Sequence, residues 1–435
     1  MNQGCGSPGR VTDLRIDLQN ATRAKFQFKT EMETNAAIEF WSSADQDHYE
    51  ISETRRSYNH EIYLLNLVPA TTYYYSLKIR NKNEFISAEE DTFQTDSLPE
   101  YLPSPDLIQN NGNVFSGFIL IRNVQPPGQQ VLINNLGEIV WYETFDTTLF
   151  RPFSWTEKQS ILALKSNREM HEFDLKGNII LNLKYGERGF TESLHHEILR
   201  DQNRNILSLT RNNQLFDLSS RGVDEADTIK GDGILKLDSM GNKIWYWDMF
   251  EFIDPLQDEN IMATKDDWSH ANSLSIAGDG HYLISFRHFN QVWKINSKTG
   301  EIMWKLGENG DFTMRDDQIF YLQHTVHINT LGEIMLFDNG GPERFTSRAV
   351  SYKLDTLNHR VIDGRINVFL PKSLFSFKQG SAYLIEDDKI LICSSIKKSI
   401  LVTDLEGQIL WQLNLSESVY RADYVDTIDW GWIKL

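Results

Sequence analysis

The chain has 435 residues, enough for two domains or for one small domain followed by a large repeat domain. A hydrophobic fraction of 40% and a charged fraction of 24% are typical of a soluble globular protein. The net charge of −18 at pH 7 argues against nucleic acid and against an anionic membrane surface as partners. No apolar run approaches the length of a membrane-spanning helix.

The two cysteines, Cys5 and Cys393, are too few for a disulfide framework. Cys393 lies in an apolar run, which predicts a buried cysteine in a strand. Cys5 has the small-residue neighbours seen where a bacterial lipoprotein signal is cut and its cysteine lipidated. We therefore expect residues 1–9 to be a tail that carries a lipid anchor at Cys5, with the protein in the periplasm or at the cell surface. The alternative is a stray N-terminal cysteine.

Residues 10–97 contain short alternating strands and no helical period, which predicts a small β-sandwich. Segment 62–77 contains the pattern L-x-P-x-T-x-Y, which ends at Tyr73 and resembles the tyrosine corner of fibronectin type III and other immunoglobulin-like sandwiches. Residues 98–112 begin with three prolines in a short stretch, which indicates a stiff linker.

Residues 113–435 carry a repeat that consists of an alternating strand, a turn with glycine, and a strand that usually bears Trp. Glycine supplies the positive φ that a tight hairpin turn needs. Repeats of roughly 40–60 residues, each a small antiparallel sheet, are typical of β-propellers. Six copies predict six blades; they centre on Gly137, Gly177, Gly241, Gly300 and Gly407, with a degenerate copy that begins at Ser351 and lacks the glycine.

Three repeat units open with a histidine, and the opening strand of a propeller blade lines the central channel. His196, His270 and His324 share this position, which predicts that their imidazoles converge at one mouth of the channel. Arg287 ends the strand after the His270 hairpin and would offer a planar fork to the oxygens of an anion. Five further histidines are predicted to be structural: His171, His281, His288, His327 and His359.

Several short motifs follow one another in the second half of the chain: Asp-Trp-x-His-x-Asn at 267–272, Ser-x-Arg at 285–287, Gln-His at 323–324, Phe-Asp-Asn-Gly at 337–340, Gly-Ser-Ala at 380–382 and Tyr-Arg-Ala at 420–422. In type and order they resemble the motifs of the bacterial aryl-sulfate sulfotransferase family, and the resemblance covers about residues 115–425. The chain departs from the family in two ways. It lacks the cysteine pair that forms a disulfide in well-studied members, and its leader domain looks like fibronectin type III.

The resemblance implies a secreted six-bladed propeller that moves a sulfuryl group between phenols without a nucleotide donor. It implies that His324 attacks sulfur and holds it as a sulfohistidine, while His196, His270 and Arg287 surround the sulfuryl oxygens. It also implies that Asn272 orients or binds those oxygens. We add His195 as a second substrate-binding candidate, and we predict no cofactor, no metal, no nucleic-acid partner and a homodimer as the assembly to test.

Sulfuryl transfer, like phosphoryl transfer, spreads charge over equatorial oxygens and needs a neutral nucleophile, cationic donors and a proton source. Imidazole can fill each role, because its unperturbed pKa is near 6.5. The sequence does not distinguish which of His196 and His270 donates the proton. Two other functions stay open: a non-catalytic propeller that binds an anionic ligand or a protein partner, and a hydrolase that uses the three histidines to hold a metal.

Overall fold

The computed structural model describes residues 10–44, 47–81, 84–123, 128–145, 153–222, 226–342 and 344–435, so Cys5 lies outside the described residues. Within these ranges the protein is all-β. The one α-helix there is α1, Ile261–Thr264, and no helix in the described part of the chain is long and apolar enough to cross a membrane.

The strands give the fold its order along the chain. The first eleven are β1 Val11–Asn20, β2 Arg23–Thr34, β3 Ala36–Ser42, β4 Tyr49–Ser52, β5 Ser57–Leu65, β6 Thr72–Asn81, β7 Glu84–Gln94, β8 Pro105–Asn110, β9 Phe118–Asn123, β10 Gly128–Ile133 and β11 Ile139–Phe145. The next twelve are β12 Phe153–Trp155, β13 Ser160–Ser166, β14 Glu169–Asp174, β15 Ile179–Lys184, β16 Ser193–Arg200, β17 Ile206–Asp217, β18 Ala226–Leu237, β19 Lys243–Asp248, β20 Ala271–Ile276, β21 Tyr282–Phe286, β22 Gln291–Ile295 and β23 Ile302–Gly307. The last ten are β24 His324–Ile328, β25 Ile334–Asp338, β26 Arg348–Asp355, β27 Arg360–Phe369, β28 Ser381–Ile385, β29 Lys389–Ser394, β30 Ser399–Thr403, β31 Ile409–Leu415, β32 Val419–Val425 and β33 Ile433–Lys434. Short 3-10 helices lie at Ser219–Arg221, Met249–Glu251, Pro255–Gln257, Lys265–Asp267, Lys372–Leu374 and Ser395–Lys397.

The chain divides into two compact units. The first consists of Met1–Leu102, Ile139–Glu143 and Thr427–Leu435, and the second of Pro103–Glu138 and Thr144–Asp426. This division differs from the predicted boundaries at the C terminus, where β33 pairs with β4 and so joins the first unit. It differs also within the predicted 98–112 linker, where β8 pairs with β31 as the fifth strand of a sheet. Both differences arise from main-chain pairing between strands far apart in sequence, which side-chain patterns do not encode.

The first unit contains two antiparallel sheets, with strand orders β1-β2-β5 and β33-β4-β3-β6-β7. Alternate residues of β2 and β3 turn inward, so that Phe26 and Ile38 join Leu64 and other buried side chains in one hydrophobic core. The hydroxyl oxygen of Tyr73 accepts a hydrogen bond from the main-chain N–H of Val68 at 2.8 Å. This bond ties the ring of Tyr73 to the main chain five residues upstream.

The second unit is a series of small antiparallel sheets that follow one another along the chain, a β-propeller-like arrangement. Their strand orders are β10-β9-β32, β12-β13-β14-β15, β16-β17-β18-β19, β20-β21-β22-β23, β24-β25-β26-β27 and β28-β29-β30-β31-β8, while most of β11 belongs to the first unit. In the first of these sheets β9 pairs with β32 from the other end of the chain. This pairing covers a sheet edge that would otherwise be open.

The glycines of the repeat lie in the turn before the outermost hairpin strand of each sheet. Gly137 precedes β11 with a φ of 79°, and Gly241 precedes β19 with a φ of 91°. In the degenerate copy, His359 holds the left-handed conformation before β27, with a φ of 47°. The predicted burial of Cys393 is confirmed, because its thiol lies within β29 and is fully buried.

Candidate active site

The three predicted histidines lie at one position in three successive sheets of the second unit. His196 is in β16, His270 immediately precedes β20, and His324 begins β24; each of these strands is the first of its sheet. The strand pairing is interrupted at each place: between His195 and Ile198, between Ala271 and Ser273, and between His324 and His327. His196 and His270 both have a φ of 50°, and Thr325 has a φ of 59°. Bulges of this kind turn a side chain out of the regular ladder, and they are frequent next to active sites.

The bulges bring the imidazoles together. The ring centroids of His196 and His270 lie 5.1 Å apart. The buried ring of Tyr420 lies 6.2 Å from the ring of His196 and 6.2 Å from the ring of His324, so it forms a wall between them. Residues of β16, β24 and β32, together with the residue just before β20, therefore lie close together.

Arg287 follows β21 directly, and its main-chain N–H donates to the carbonyl of His270 at 3.1 Å. Its side chain is partly buried, and burial lowers the pKa of its guanidinium, although the charges of Asp267 and Tyr420 oppose that change. In the described part of the chain no side chain forms a hydrogen bond or ion pair with this guanidinium. Its donors are therefore free to bind an anion.

His324 is 3% exposed, and its hydrogen bonds define which ring nitrogen carries the proton. The Nδ1 atom lies 2.7 Å from Oδ1 of Asn339 and 3.1 Å from the carbonyl oxygen of Leu322, two acceptors. The Nε2 atom accepts the main-chain N–H of Gln379 at 3.2 Å. Since Nδ1 faces acceptors and Nε2 faces a donor, Nδ1 carries the proton and Nε2 carries the lone pair.

Burial and neighbouring cations keep this ring neutral. Burial lowers the pKa of His324 to about 3; the hydrogen bond to Asn339 opposes that change, while the charges of Arg287 and His270 add to it. Burial also lowers the pKa of His196 well below its usual value, with further contributions from His195 and His270. Both rings are therefore in their neutral form near pH 7.

His270 differs from His196 and His324 because its ring contacts a carboxylate directly. Its Nδ1 atom lies 2.5 Å from Oδ2 of Asp267, and its ring centroid lies 4.8 Å from that of His288. Burial would raise the pKa of Asp267, but the hydrogen bond with His270 and nearby cations lower it to about 2. Asp267, His270 and His288 bring one ligand atom each within 4.8 Å of one another, so these residues could also hold a metal ion.

His195 lies behind His196. Their Nδ1 atoms are 2.8 Å apart, and Nε2 of His195 lies 3.0 Å from Oδ1 of Asp232, at ion-pair distance but off the line of a straight hydrogen bond. Asp232 is 3% exposed and accepts hydrogen bonds from Ser269 Oγ and from the main-chain N–H of Ala271. The structure thus places His195 in contact with His196 and Asp232.

Asn272 is fully buried, and its Nδ2 atom donates to the carbonyl of Gln323 at 2.7 Å. The amide of Gln323 in turn donates to Ser285 Oγ and to the carbonyls of Phe286 and Gln291. These bonds fix the main chain immediately before His324 against β21 and β22. Asn272 therefore binds the main chain of the residue that precedes His324 and helps to fix its position.

Sequence reasoning singled out the histidines and Arg287 but gave no role to several residues that surround them. Asp267, Asn339 and Tyr420 stand in motifs quoted above, and their roles depend on contacts between sheets. His288 was predicted to be structural; its position next to Arg287 was the available signal. Arg211, whose Nη2 atom lies 3.6 Å from Oδ1 of Asp267, stands in no motif, and neither does Asp232 of β18.

Comparison of the sequence with known proteins points to one family. Residues 106–399 match the family described as Arylsulfotransferase (ASST). An arylsulfate sulfotransferase AssT of Escherichia coli is 25% identical over 256 residues, which are 42% of this chain and 42% of the relative. The protein of that name from Lelliottia amnigena is 24% identical over 262 residues, 44% of this chain and 42% of the relative. The similarity thus spans less than half the length of these relatives.

Among solved structures, a protein of unknown function from Bacteroides caccae is 12% identical with a TM-score of 0.47, covering 72% of this chain and 100% of that chain. A likeness at this level says nothing about function. The family match is different, because its range exceeds half of the 435 residues. The predicted resemblance is therefore confirmed: the chain belongs to the arylsulfotransferase (ASST) family.

Proposed function

We propose that this protein is a sulfotransferase that moves a sulfuryl group from a phenolic sulfate ester to a phenolic acceptor in two steps, without a nucleotide donor. One observation carries the proposal: a buried, neutral His324 with a defined lone pair on Nε2 lies in the same site as Arg287 and two further imidazoles. A nucleophile without charge and cationic donors for equatorial oxygens are what this transfer requires.

In the first step Nε2 of His324 attacks the sulfur of the ester, the N–S bond forms and the bond from sulfur to the aryl oxygen breaks. The phenolate leaves with the electron pair of that bond and takes a proton from an imidazolium of the site. The guanidinium of Arg287 faces the charge that develops on the sulfuryl oxygens. Tyr420 supplies an aromatic wall beside the leaving ring.

In the second step the acceptor phenol gives its proton to the imidazole that was deprotonated in the first step. Its oxygen then attacks sulfur, the N–S bond breaks, and the electron pair returns to Nε2 of His324. The enzyme is restored with the proton on the same imidazole as at the start. Protons and charge therefore balance over one turnover.

His270 is the better proton donor of the two alternatives. The Asp267 carboxylate accepts its Nδ1–H and orients the ring, as the aspartate of a catalytic triad does. His196 has an imidazole partner, His195, and its pKa is lowered by burial and by the other histidines. We assign to His196 a hydrogen bond to the sulfuryl group, and to His195 with Asp232 the orientation of that ring.

The finer features of the fold and location belong to this proposal too. We infer that the six sheets of the second unit are six blades closed by the pairing of β32 with β9, and that the first unit is a fibronectin type III-like sandwich. We also propose that the protein lies in the periplasm or at the cell surface with a lipid on Cys5. We propose that it assembles as a homodimer. Mass spectrometry of the mature protein and light scattering test these two points.

The deciding experiment uses a chromogenic phenyl sulfate and a phenol acceptor, with purified protein and no nucleotide. We expect release of the donor phenol, initial rates with a ping-pong pattern, and an intact mass increased by one sulfuryl group after donor alone. His324→Ala should abolish transfer and the mass increase, because it removes the covalent path. Arg287→Ala should lower the rate on the order of a hundredfold, as does the loss of one preorganised donor.

Two outcomes would contradict the proposal. Wild-type turnover by His324→Ala would exclude the sulfohistidine, and a requirement for a nucleotide sulfate would exclude the donor class. Binding of the phenyl sulfate without any turnover would favour the non-catalytic propeller. Loss of activity on dialysis against a chelator, restored by a metal ion, would favour a metal site at Asp267, His270 and His288.

A further inference from the structure

Asn339 follows β25 and is fully buried beside His324. Its Nδ2 atom donates two hydrogen bonds, to the carbonyl oxygens of Ser376 at 2.7 Å and of Gln379 at 2.8 Å. Two carbonyl acceptors can only face the nitrogen of the amide, so the orientation of this side chain is defined. Its oxygen, Oδ1, is left to accept the Nδ1–H of His324 at 2.7 Å.

The segment that Asn339 holds also reaches the other side of the imidazole. The main-chain N–H of Gln379 points at Nε2 of His324, 3.2 Å away, from a residue in the left-handed conformation with a φ of 58°. The Gln379 side chain accepts a hydrogen bond from Ser395 Oγ at 2.9 Å, and the carbonyl of Gly380 accepts one from Thr325 Oγ1 at 2.9 Å. One asparagine thus binds Nδ1 directly and holds the segment that binds Nε2.

The kind of partner separates His324 from the other imidazoles of the site. His270 contacts the carboxylate of Asp267, and His195 contacts that of Asp232. His324 has an uncharged amide oxygen instead. A carboxylate there would raise the pKa of His324, so that the nucleophilic lone pair would stay protonated up to a higher pH. An amide orients the ring without adding charge.

We propose that Asn339 is a positioning residue that keeps the proton of His324 on Nδ1, and that the main-chain N–H of Gln379 binds the sulfuryl group once it is on Nε2. This inference rests on the proposed function. When Nε2 forms the N–S bond its lone pair is no longer an acceptor, and the nearest oxygens to the Gln379 N–H are those of the new sulfuryl group. The ring then carries both the Nδ1 proton and the sulfuryl group, so it is a good leaving group for the second step.

The test compares Asn339→Ala with Asn339→Asp, using rapid-mixing measurement of the first-step burst of phenol across pH. Asn339→Ala should slow the burst on the order of a hundredfold at every pH, because the ring loses its defined tautomer. Asn339→Asp keeps an acceptor for Nδ1–H but adds a charge that raises the pKa of His324 from about 3. Its burst should fall as the pH decreases and recover as the pH increases, which a purely structural defect would not produce.

Asn329→Ala is the matched control, since Asn329 is a buried asparagine of the same sheet whose Oδ1 accepts main-chain N–H groups of Leu331 and Glu333. It should unfold at a lower temperature than wild type and keep the wild-type burst per folded molecule. If both Asn339 variants match that control, or if both lose the burst equally at all pH values, the inference is wrong. Transfer that is lost in His324→Ala but unaffected in both Asn339 variants would overturn this inference alone and leave the proposed function standing.

Discussion

At the scale of single residues, the site contains imidazoles that differ in burial and in hydrogen-bond partner. Burial with nearby cations keeps His324 neutral. His270 instead contacts the carboxylate of Asp267. In the proposed mechanism one residue type therefore serves both as nucleophile and as proton donor, because the surroundings of the two rings differ.

The first prediction concerns Asp267→Asn and the pH dependence of the first step. His324 is deprotonated above about pH 3, so the nucleophile does not limit activity on the acidic side of neutrality. A protonated donor is lost as the pH rises, so the rate should decline on the alkaline side. Asp267→Asn replaces a negatively charged group that contacts Nδ1 of His270 by an uncharged amide, so this decline of the rate should move to lower pH. The measurement is kcat/KM for a phenyl sulfate with a poor leaving group, from pH 5 to pH 10.

Asp266→Asn is the control for that prediction, because the Asp266 side chain is 77% exposed and adjoins Asp267 in sequence. Asp266→Asn should leave the alkaline decline of kcat/KM at the wild-type pH. A phenyl sulfate with a very good leaving group needs little protonation, so its rate should respond less to Asp267→Asn. If the alkaline decline of kcat/KM does not move in Asp267→Asn, or if it moves equally in both variants, His270 is not the proton donor.

At the scale of elements, buried charges join strands of different sheets directly behind the imidazoles. Glu197 of β16 lies 2.6 Å from Nη1 of Arg421 in β32 and 3.5 Å from Nη1 of Arg122 in β9. Arg122 also lies 2.8 Å from Asp423 of β32. All four are charged side chains with little exposure, so each charge depends on its partners.

The second prediction is that Glu197→Ala lowers the free energy of unfolding by about 3–5 kcal/mol, since it leaves two buried arginines with one carboxylate. Chemical denaturation followed by tryptophan fluorescence measures the change. Glu406→Ala, at an exposed turn position, should change the free energy by less than about 0.5 kcal/mol. Equal stability of the two variants would mean that the ion pairs contribute nothing to holding β16 against β32 and β9.

Much at this scale could be predicted from the sequence, because it depends on local signals. The turn glycines mark the hairpins, since few other residues adopt their φ, and the repeat predicts that His196, His270 and His324 occupy equivalent positions in three sheets. The partners could not be predicted: Asn339 lies 15 residues from His324, and Glu197 meets Arg421 across the whole repeat array. These contacts depend on register and closure, which appear only once the sheets assemble.

At the scale of the whole molecule, the net charge of −18 works against an anionic substrate. Under the proposed function, a phenyl sulfate would approach through a repulsive long-range field and then meet Arg287 at short range. Salt screens exposed charges beyond about 10 Å at 0.1 M ionic strength, but it screens partly buried groups much less. The long-range and local parts of the field should therefore respond differently to salt.

The third prediction follows from that difference. The value of kcat/KM for an anionic phenyl sulfate should rise as ionic strength increases from about 0.01 M to 0.15 M, because the repulsion is screened while the contact with Arg287 persists. The value for a neutral phenol acceptor, measured in the second step, should stay constant over the same range. In Arg287→Ala the salt effect on the donor should keep its direction, since the net charge becomes more negative by one. A fall in kcat/KM with salt for the wild-type protein would show that local cations dominate the approach, and an equal response of donor and acceptor would show that the effect is not electrostatic.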